Sequence, residues 1–303
     1  MPPLASLRTA LKSRLLRWWL ASHPTHRGAC RFPPGHFHSP LLDLDHLSPG
    51  TPTLPHDTAA NWEHIDLQPA QQKALYHTLL TQTPRLPFPS QPHPDWLYHQ
   101  PNGWFPLADA FLLSGLIQHL HPQKIIEVGS GFSTAATLDT LDKTNASCAI
   151  TCIEPHPQRL QSLLPQSHHS RITLLPQTVQ NIDPAFFDQL APNDILFIDS
   201  SHVAKAGSDV AFLFLRILPR LRPGVWVHIH DIFYPGSYPI DWFLEGRAWN
   251  ESLFLRAFLL GNPGWITRAF NAHAAATFPD LFQLTLPEIL TDTGGSFWMQ
   301  CLP

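Results

Sequence analysis

Charged side chains are scarce in this sequence. Asp, Glu, Lys and Arg make up only 14% of its 303 residues, and no acidic residue precedes Asp43. With a formal net charge of −4 there is no broad basic field, which argues against nucleic acid as a partner. Cysteine is also sparse: Cys30, Cys148, Cys152 and Cys301 form no C-x-x-C pair, so neither a disulfide framework nor a structural zinc site is expected. Long apolar runs are missing. Those at 110–117 and 209–218 fall short of the ~20 residues needed to cross a bilayer, and no transmembrane helix is expected. The candidate secretory core near the amino terminus is interrupted by Arg14 and Arg17, so a cytoplasmic protein is expected.

Proline and histidine are plentiful, at 32 and 19 residues. They point to loops and a surface of neutral polar groups rather than long regular helices. Residues 1–22 carry Arg8, Lys12, Arg14 and Arg17 among Leu7, Leu11, Leu15, Trp18 and Trp19, the pattern of a basic amphipathic helix. An organelle transit peptide or a helix in weak contact with a membrane surface has the same pattern, but packing on its own domain is the commoner case and the one expected. Residues 23–107 read as an irregular Pro/His-rich extension with one helix near 67–81. Its many aromatics, including Trp62, Tyr76, Trp96 and Tyr98, predict packing on the main domain and capping of the site.

From residue 108 to 303 strand and helix signals alternate, the pattern of a mostly parallel sheet with helices on both faces. Strands are predicted at 124–128, 149–153, 172–175, 194–198 and 225–230, with helices at 108–120, 133–141, 156–164, 184–190 and 207–221. Near the carboxyl end, 282–286 and 296–302 are expected to pair as an antiparallel hairpin across a turn at Thr293, Gly294 and Gly295.

An apolar strand runs from Lys124 into Glu127-Val-Gly-Ser-Gly-Phe-Ser-Thr134, where Gly129 and Gly131 allow a tight turn and a close ligand approach. Ser130, Ser133 and the free N–H groups of the helix start add polar contacts. The next strand ends at Glu154, placed to accept the hydroxyls of a ribose. A nicotinamide site uses the same devices. Here the third glycine is replaced by Thr134, and Glu127 sets a carboxylate where a pyrophosphate would be repelled but the ammonium of a methionine moiety would be welcome. This favours S-adenosylmethionine as cofactor.

Three segments, Glu127-Val-Gly-Ser-Gly-Phe-Ser, Phe197-Ile-Asp-Ser-Ser-His202 and Val227-His-Ile-His-Asp-Ile-Phe-Tyr-Pro235, resemble the class I S-adenosylmethionine-dependent methyltransferases. The resemblance is strongest to the branch of small-molecule O-methyltransferases and cephalosporin-hydroxylase-like or macrocin-type enzymes. It implies a Rossmann-like α/β sheet, with Glu127 and the Gly129/Gly131 backbone at the methionine end and Glu154 at the ribose. Gln177, in the loop at 177–180, falls at the adenine. Asp199, His230 and Asp231 match positions that bind magnesium in metal-dependent relatives. His230 departs from the oxygen ligands usual there, so the expectation is a divalent ion, magnesium or manganese, with iron or zinc as softer choices, or no metal. Without a metal, His202 or His230 is the expected general base, with Asp231 or Asp199 orienting its ring. His228 and Asp209 are expected to be structural. A lid-like insert at 234–275, with the Asn102-Gly-Trp-Phe105 segment, is expected to surround a small-molecule or glycan acceptor. The competing functions are an NAD-dependent oxidoreductase and a non-catalytic methyltransferase-like partner subunit.

Overall fold

The computed structural model describes residues 35–43, 54, 57–83 and 85–303. The expected basic helix at 4–20 lies outside the described residues. Seven strands form one sheet in the order β3-β2-β1-β4-β5-β7-β6. β1 (Lys124–Val128), β2 (Ala149–Ile153), β3 (Ile172–Leu175), β4 (Ile195–Ile198) and β5 (Trp226–Ile229) run parallel. β6 (Trp265–Phe270) and β7 (Phe297–Cys301) complete it, with β7 antiparallel to both of its neighbours.

The described residues contain eight α-helices: α1 (Pro69–Gln82), α2 (Leu107–Leu120), α3 (Phe132–Thr144), α4 (Gln158–Leu163), α5 (Asp209–Phe212), α6 (Ile240–Leu244), α7 (Glu251–Leu259) and α8 (Asn271–Thr277). Strand side chains alternate between the two faces of the sheet. Ile125, Phe197 and Trp226 join a core with residues of α1, α2 and α3, whereas Ile126, Leu196 and Val227 join a second core with α5 and α7. This is the Rossmann-like architecture expected of the alternating pattern.

Four expected elements take other forms, the first being the helix expected at 184–190, which is a 3-10 helix over Pro184–Gln189. The helix expected at 207–221 is α5 followed by a π-helical turn at Leu213–Ile217 and a 3-10 turn at Leu218–Arg220. Pro219 lacks the N–H that a regular helix needs there. The segment 282–286 is not a strand. Phe282 and Leu286 are both fully buried and Leu284 is 97% exposed, while the Leu286 N–H donates to the Phe282 carbonyl at 2.9 Å, the spacing of a helical turn. The partner of β7 is instead β6, which occupies part of the expected lid insert.

The extension is fastened to the core at several points. The N–H groups of Leu97 and Tyr98 donate to Asp139 on α3, at 3.0 and 2.8 Å. Tyr76 donates its hydroxyl to Asn271 at 2.6 Å, and the Trp62 indole donates to the Pro235 carbonyl at 3.1 Å. Asp57 pairs with Arg256 at 3.1 Å and accepts from the N–H and hydroxyl of Ser237.

Asp109 on α2 is wholly buried and accepts from the N–H groups of Gly295 and Ser296, each at 3.0 Å, and from the Asn271 amide at 3.1 Å. It thereby holds the approach to β7. Asp109→Ala leaves these donors unpartnered and is expected to cost about 3 kcal/mol in urea denaturation. Leu284→Ala, on the solvent side of the same region, should stay within about 0.5 kcal/mol. Equal effects of the two changes would remove Asp109 from this role.

Candidate functional site

A cavity of about 860 Å³ opens at the carboxyl ends of β1, β4 and β5. It lies where the chain crosses from β1 to opposite sides of the sheet, β2 on one flank and β4 on the other, the usual ligand position in open α/β sheets. Gly129, Ser130, Gly131, Ser133, Glu154 and Asp199 line it, as do His202, His230 and Asp231.

Gly129 is in the left-handed region at φ +80°, and a Cβ there would lie 1.8 Å from the Asp199 carbonyl oxygen. No other residue type fits. The Asp199 N–H donates to the Val128 carbonyl at 2.8 Å, locking the two loops together. Glu154, half-buried beyond β2, accepts from the N–H groups of Ser130 at 3.1 Å and His156 at 2.7 Å.

Two expected cofactor residues lie elsewhere. Glu127 is 2% exposed and faces the core rather than the cavity. Its oxygens accept from the hydroxyls of Ser133 and Thr134, each at 2.5 Å, and burial pushes its carboxyl up to about 7. Because the Thr134 hydroxyl also accepts the Gly131 N–H at 3.2 Å, Glu127 braces the glycine turn from beneath. Gln177 is exposed and is absent from the cavity walls.

At the reacting end, His202 is 4% exposed and sits among three carboxylates. Its Nδ1 lies 2.9 Å from Glu251, and its Nε2 lies 3.3 Å from Asp199 and 3.5 Å from Asp231. Burial alone would lower its pKa, but the hydrogen bonds to Asp199 and Glu251 prevail and hold it well above 6.5. A ring held protonated in this way donates through both nitrogens, to Glu251 on one side and to Asp199 on the other. The His230 Nε2 lies 3.7 Å from Asp231, and its Nδ1 faces the His228 Nε2 at 3.3 Å. Against burial, Asp199, Asp231 and Asp109 raise the His230 pKa.

His228 stacks on Phe197 with ring centroids 4.0 Å apart, and burial followed by His230 keeps it neutral, in the structural role expected. Asp209 bonds the N–H and hydroxyl of Ser201, also a structural role. Burial raises the Asp231 pKa despite the two nearby imidazoles, whereas for Asp199 those imidazoles outweigh burial and lower it.

The metal expectation at Asp199, His230 and Asp231 does not fit this arrangement. Among the described residues no group of three or more His, Cys, Asp and Glu is placed to hold an ion. The His202 Nε2 stands between the Asp199 and Asp231 carboxylates, where a bridging cation would have to lie.

Arg159 in the wall and Glu251 behind it escaped the sequence reading, whereas Trp104, Trp242 and Trp249 fall in the segments expected to surround an acceptor. Glu251 reaches His202 from α7, and Trp242 and Trp249 form one side of the cavity. The Arg159 guanidinium lies 3.5 Å over the Trp104 ring. Arg247 was findable as the only Lys or Arg between Arg222 and Arg256.

Because the folded pKa of His202 is raised, its stabilising contribution is complete below 6.5 and is lost as pH rises through the folded value. His202→Gln should therefore destabilise strongly at about pH 6 and much less at about pH 9. Histidine-selective NMR should find this ring protonated well above the ordinary range and His228 neutral below it. A His202 resonance titrating at the ordinary value would overturn the assignment.

Residues 126–232 match the model of a methyltransferase domain. A protein of Archaeoglobus fulgidus described only as uncharacterized is 29% identical over 170 residues, 54% of this chain and 76% of that protein. An S-adenosylhomocysteine-bound methyltransferase of Podospora anserina is 16% identical, covering 64% of this chain and 78% of that one at a TM-score of 0.41. The O-methyltransferase TomG of Streptomyces achromogenes, in complex with S-adenosylmethionine, is 14% identical, with 63% and 78% covered and a TM-score of 0.40. The matched segment contains the Gly129–Gly131 turn, Glu154, Asp199, His202, His230 and Asp231.

Proposed function

We propose that this protein moves the methyl group of S-adenosylmethionine to a hydroxyl oxygen of a small-molecule or sugar acceptor, and that Asp231 takes the hydroxyl proton. The observation that carries this reading is the single cavity joining the glycine turn and Glu154 to Asp199, His202, His230 and Asp231. Its volume falls in the range that holds a cofactor and a second small molecule.

The backbone at Gly129 and Gly131 and the Glu154 carboxylate hold the cofactor at one end. Bound there, the cofactor supplies an electrophilic methyl on a sulfonium. Asp231 is 17% exposed through its side chain, whereas His202 and His230 are enclosed at 5% and 3%, so the carboxylate is the open acceptor. The hydroxyl oxygen would bond to the methyl carbon as the sulfonium–methyl bond breaks and its electrons return to sulfur, leaving S-adenosylhomocysteine, and the acidified hydroxyl proton would pass to Asp231. The raised pKa of this carboxyl suits it to that task. His202, fixed by Glu251, donates to Asp199 and Asp231 and limits the repulsion between them. With His202 in that position, the reading uses no metal.

Titration calorimetry with S-adenosylhomocysteine should give micromolar binding, and nicotinamide dinucleotides should give none; the reverse result would replace this reading by an oxidoreductase. Glu154→Ala should weaken the cofactor by ~1–3 kcal/mol. Asp231→Asn should keep cofactor affinity while lowering methyl transfer about 100-fold or more. Turnover should survive EDTA, and a loss restored by magnesium or manganese would overturn the metal-free part.

A further inference from the structure

The cavity has two ends of opposite character. Asp199, Asp231 and Asp292 line its walls, with Glu251 and Asp109 buried behind them. At the lid, Phe233, Trp242 and Trp249 make an aromatic wall whose one cation is Arg247. Its guanidinium lies 4.5 Å from the Trp242 ring centre and 5.2 Å from that of Trp249. Trp249 in turn packs against the His202 ring at 4.4 Å, so this wall leads directly to the reacting end.

We propose that the lid selects a planar hydroxylated acid as the methyl acceptor, its ring against Trp242 and Trp249 and its carboxylate on Arg247. This rests on the methyl-transfer reading above. Three observations favour an acid over the alternatives. The aromatic faces already carry a guanidinium, so an ammonium-bearing acceptor would meet a like charge where an empty aromatic cage would have welcomed it. Arg247 pairs with Glu245 through Nη2 at 3.1 Å, but the two side chains are 40% and 27% exposed. An ion pair that open contributes little and leaves donors of the planar fork for a second carboxylate. The acidic groups at the far end repel a carboxylate from Asp231, which orients such an acceptor with its hydroxyl inward.

The test uses full-length protein saturated with S-adenosylhomocysteine and titrated with hydroxybenzoic acids, the matching hydroxybenzamides and the matching hydroxybenzylamines. Tryptophan fluorescence reports binding. The acids should bind about tenfold or more tighter than the amides, and Arg247→Gln should erase that preference while leaving S-adenosylhomocysteine affinity unchanged. Arg247→Lys should retain part of it. Amides or amines binding as well as the acids, an acid preference that survives Arg247→Gln, or no binding by any probe would overturn the inference while cofactor binding stands. Failure of wild-type protein to bind S-adenosylhomocysteine would instead overturn the cofactor reading, and this inference with it.

Discussion

The site depends on one close crossing of backbone. Gly129 passes so near the Asp199 carbonyl that a single carbon atom would block the approach. The loops after β1 and β4 therefore touch, and the hydrogen bond from Asp199 to Val128 keeps them so. The Gly129–Gly131 turn and Ser133 hang from the first loop, and Asp199 and His202 from the second. Their separation is set by main-chain packing and a main-chain hydrogen bond rather than by mobile side chains. Glu127 supports the crossing from below by tying both Ser133 and Thr134 at the start of α3.

A second constraint is electrostatic. Asp199, Asp231 and Glu251 come from three separate elements and converge within 3.5 Å of one imidazole, an approach that is repulsive without a cation among them. His202 supplies that charge. Its backbone carbonyl also accepts the N–H groups of Asn250 and Glu251 at 3.0 and 3.2 Å, so α7 is fixed to the β4 loop by main chain as well as side chain. The left-handed backbone at His202 and Asp231, with φ of +59° and +55°, is the conformational cost of bringing both side chains to one point.

Much of this was legible beforehand. β1 to β5 are short apolar runs closed by Gly, Pro or polar residues, and such runs have few other places to go in an alternating α/β chain. The turn at Gly129 and Gly131, Glu154, and the trio of Asp199, His230 and Asp231 stood at strand ends, where position alone indicates a ligand. Other features were hidden for definite reasons. Phe282-Gln-Leu-Thr-Leu286 has apolar residues two apart and also four apart, so the pattern fits a strand or a helical turn equally. Glu127 and Glu154 look alike in sequence, and only the pleat shows that the first points into a core and the second to the opening. The partnership of His202 with Glu251 spans 49 residues and carries no local signal.

The sheet order has a consequence for the assembly of the chain. β7 is made after β6 yet lies between β5 and β6. During synthesis, then, β6 has no neighbour to pair with, and the edge of β5 stays open along Trp226 to Ile229 until the strand from Phe297 to Cys301 emerges. The final pairing inserts one strand between two already present, bringing Gly295 and Ser296 onto Asp109 at the same moment. Parallel strands β1 to β5 can be assembled as they appear, but closure of the sheet is a late event of high sequence separation, the slow kind in folding kinetics. Until then an apolar edge remains exposed to other chains, which is where a nascent molecule of this design is most open to misassembly.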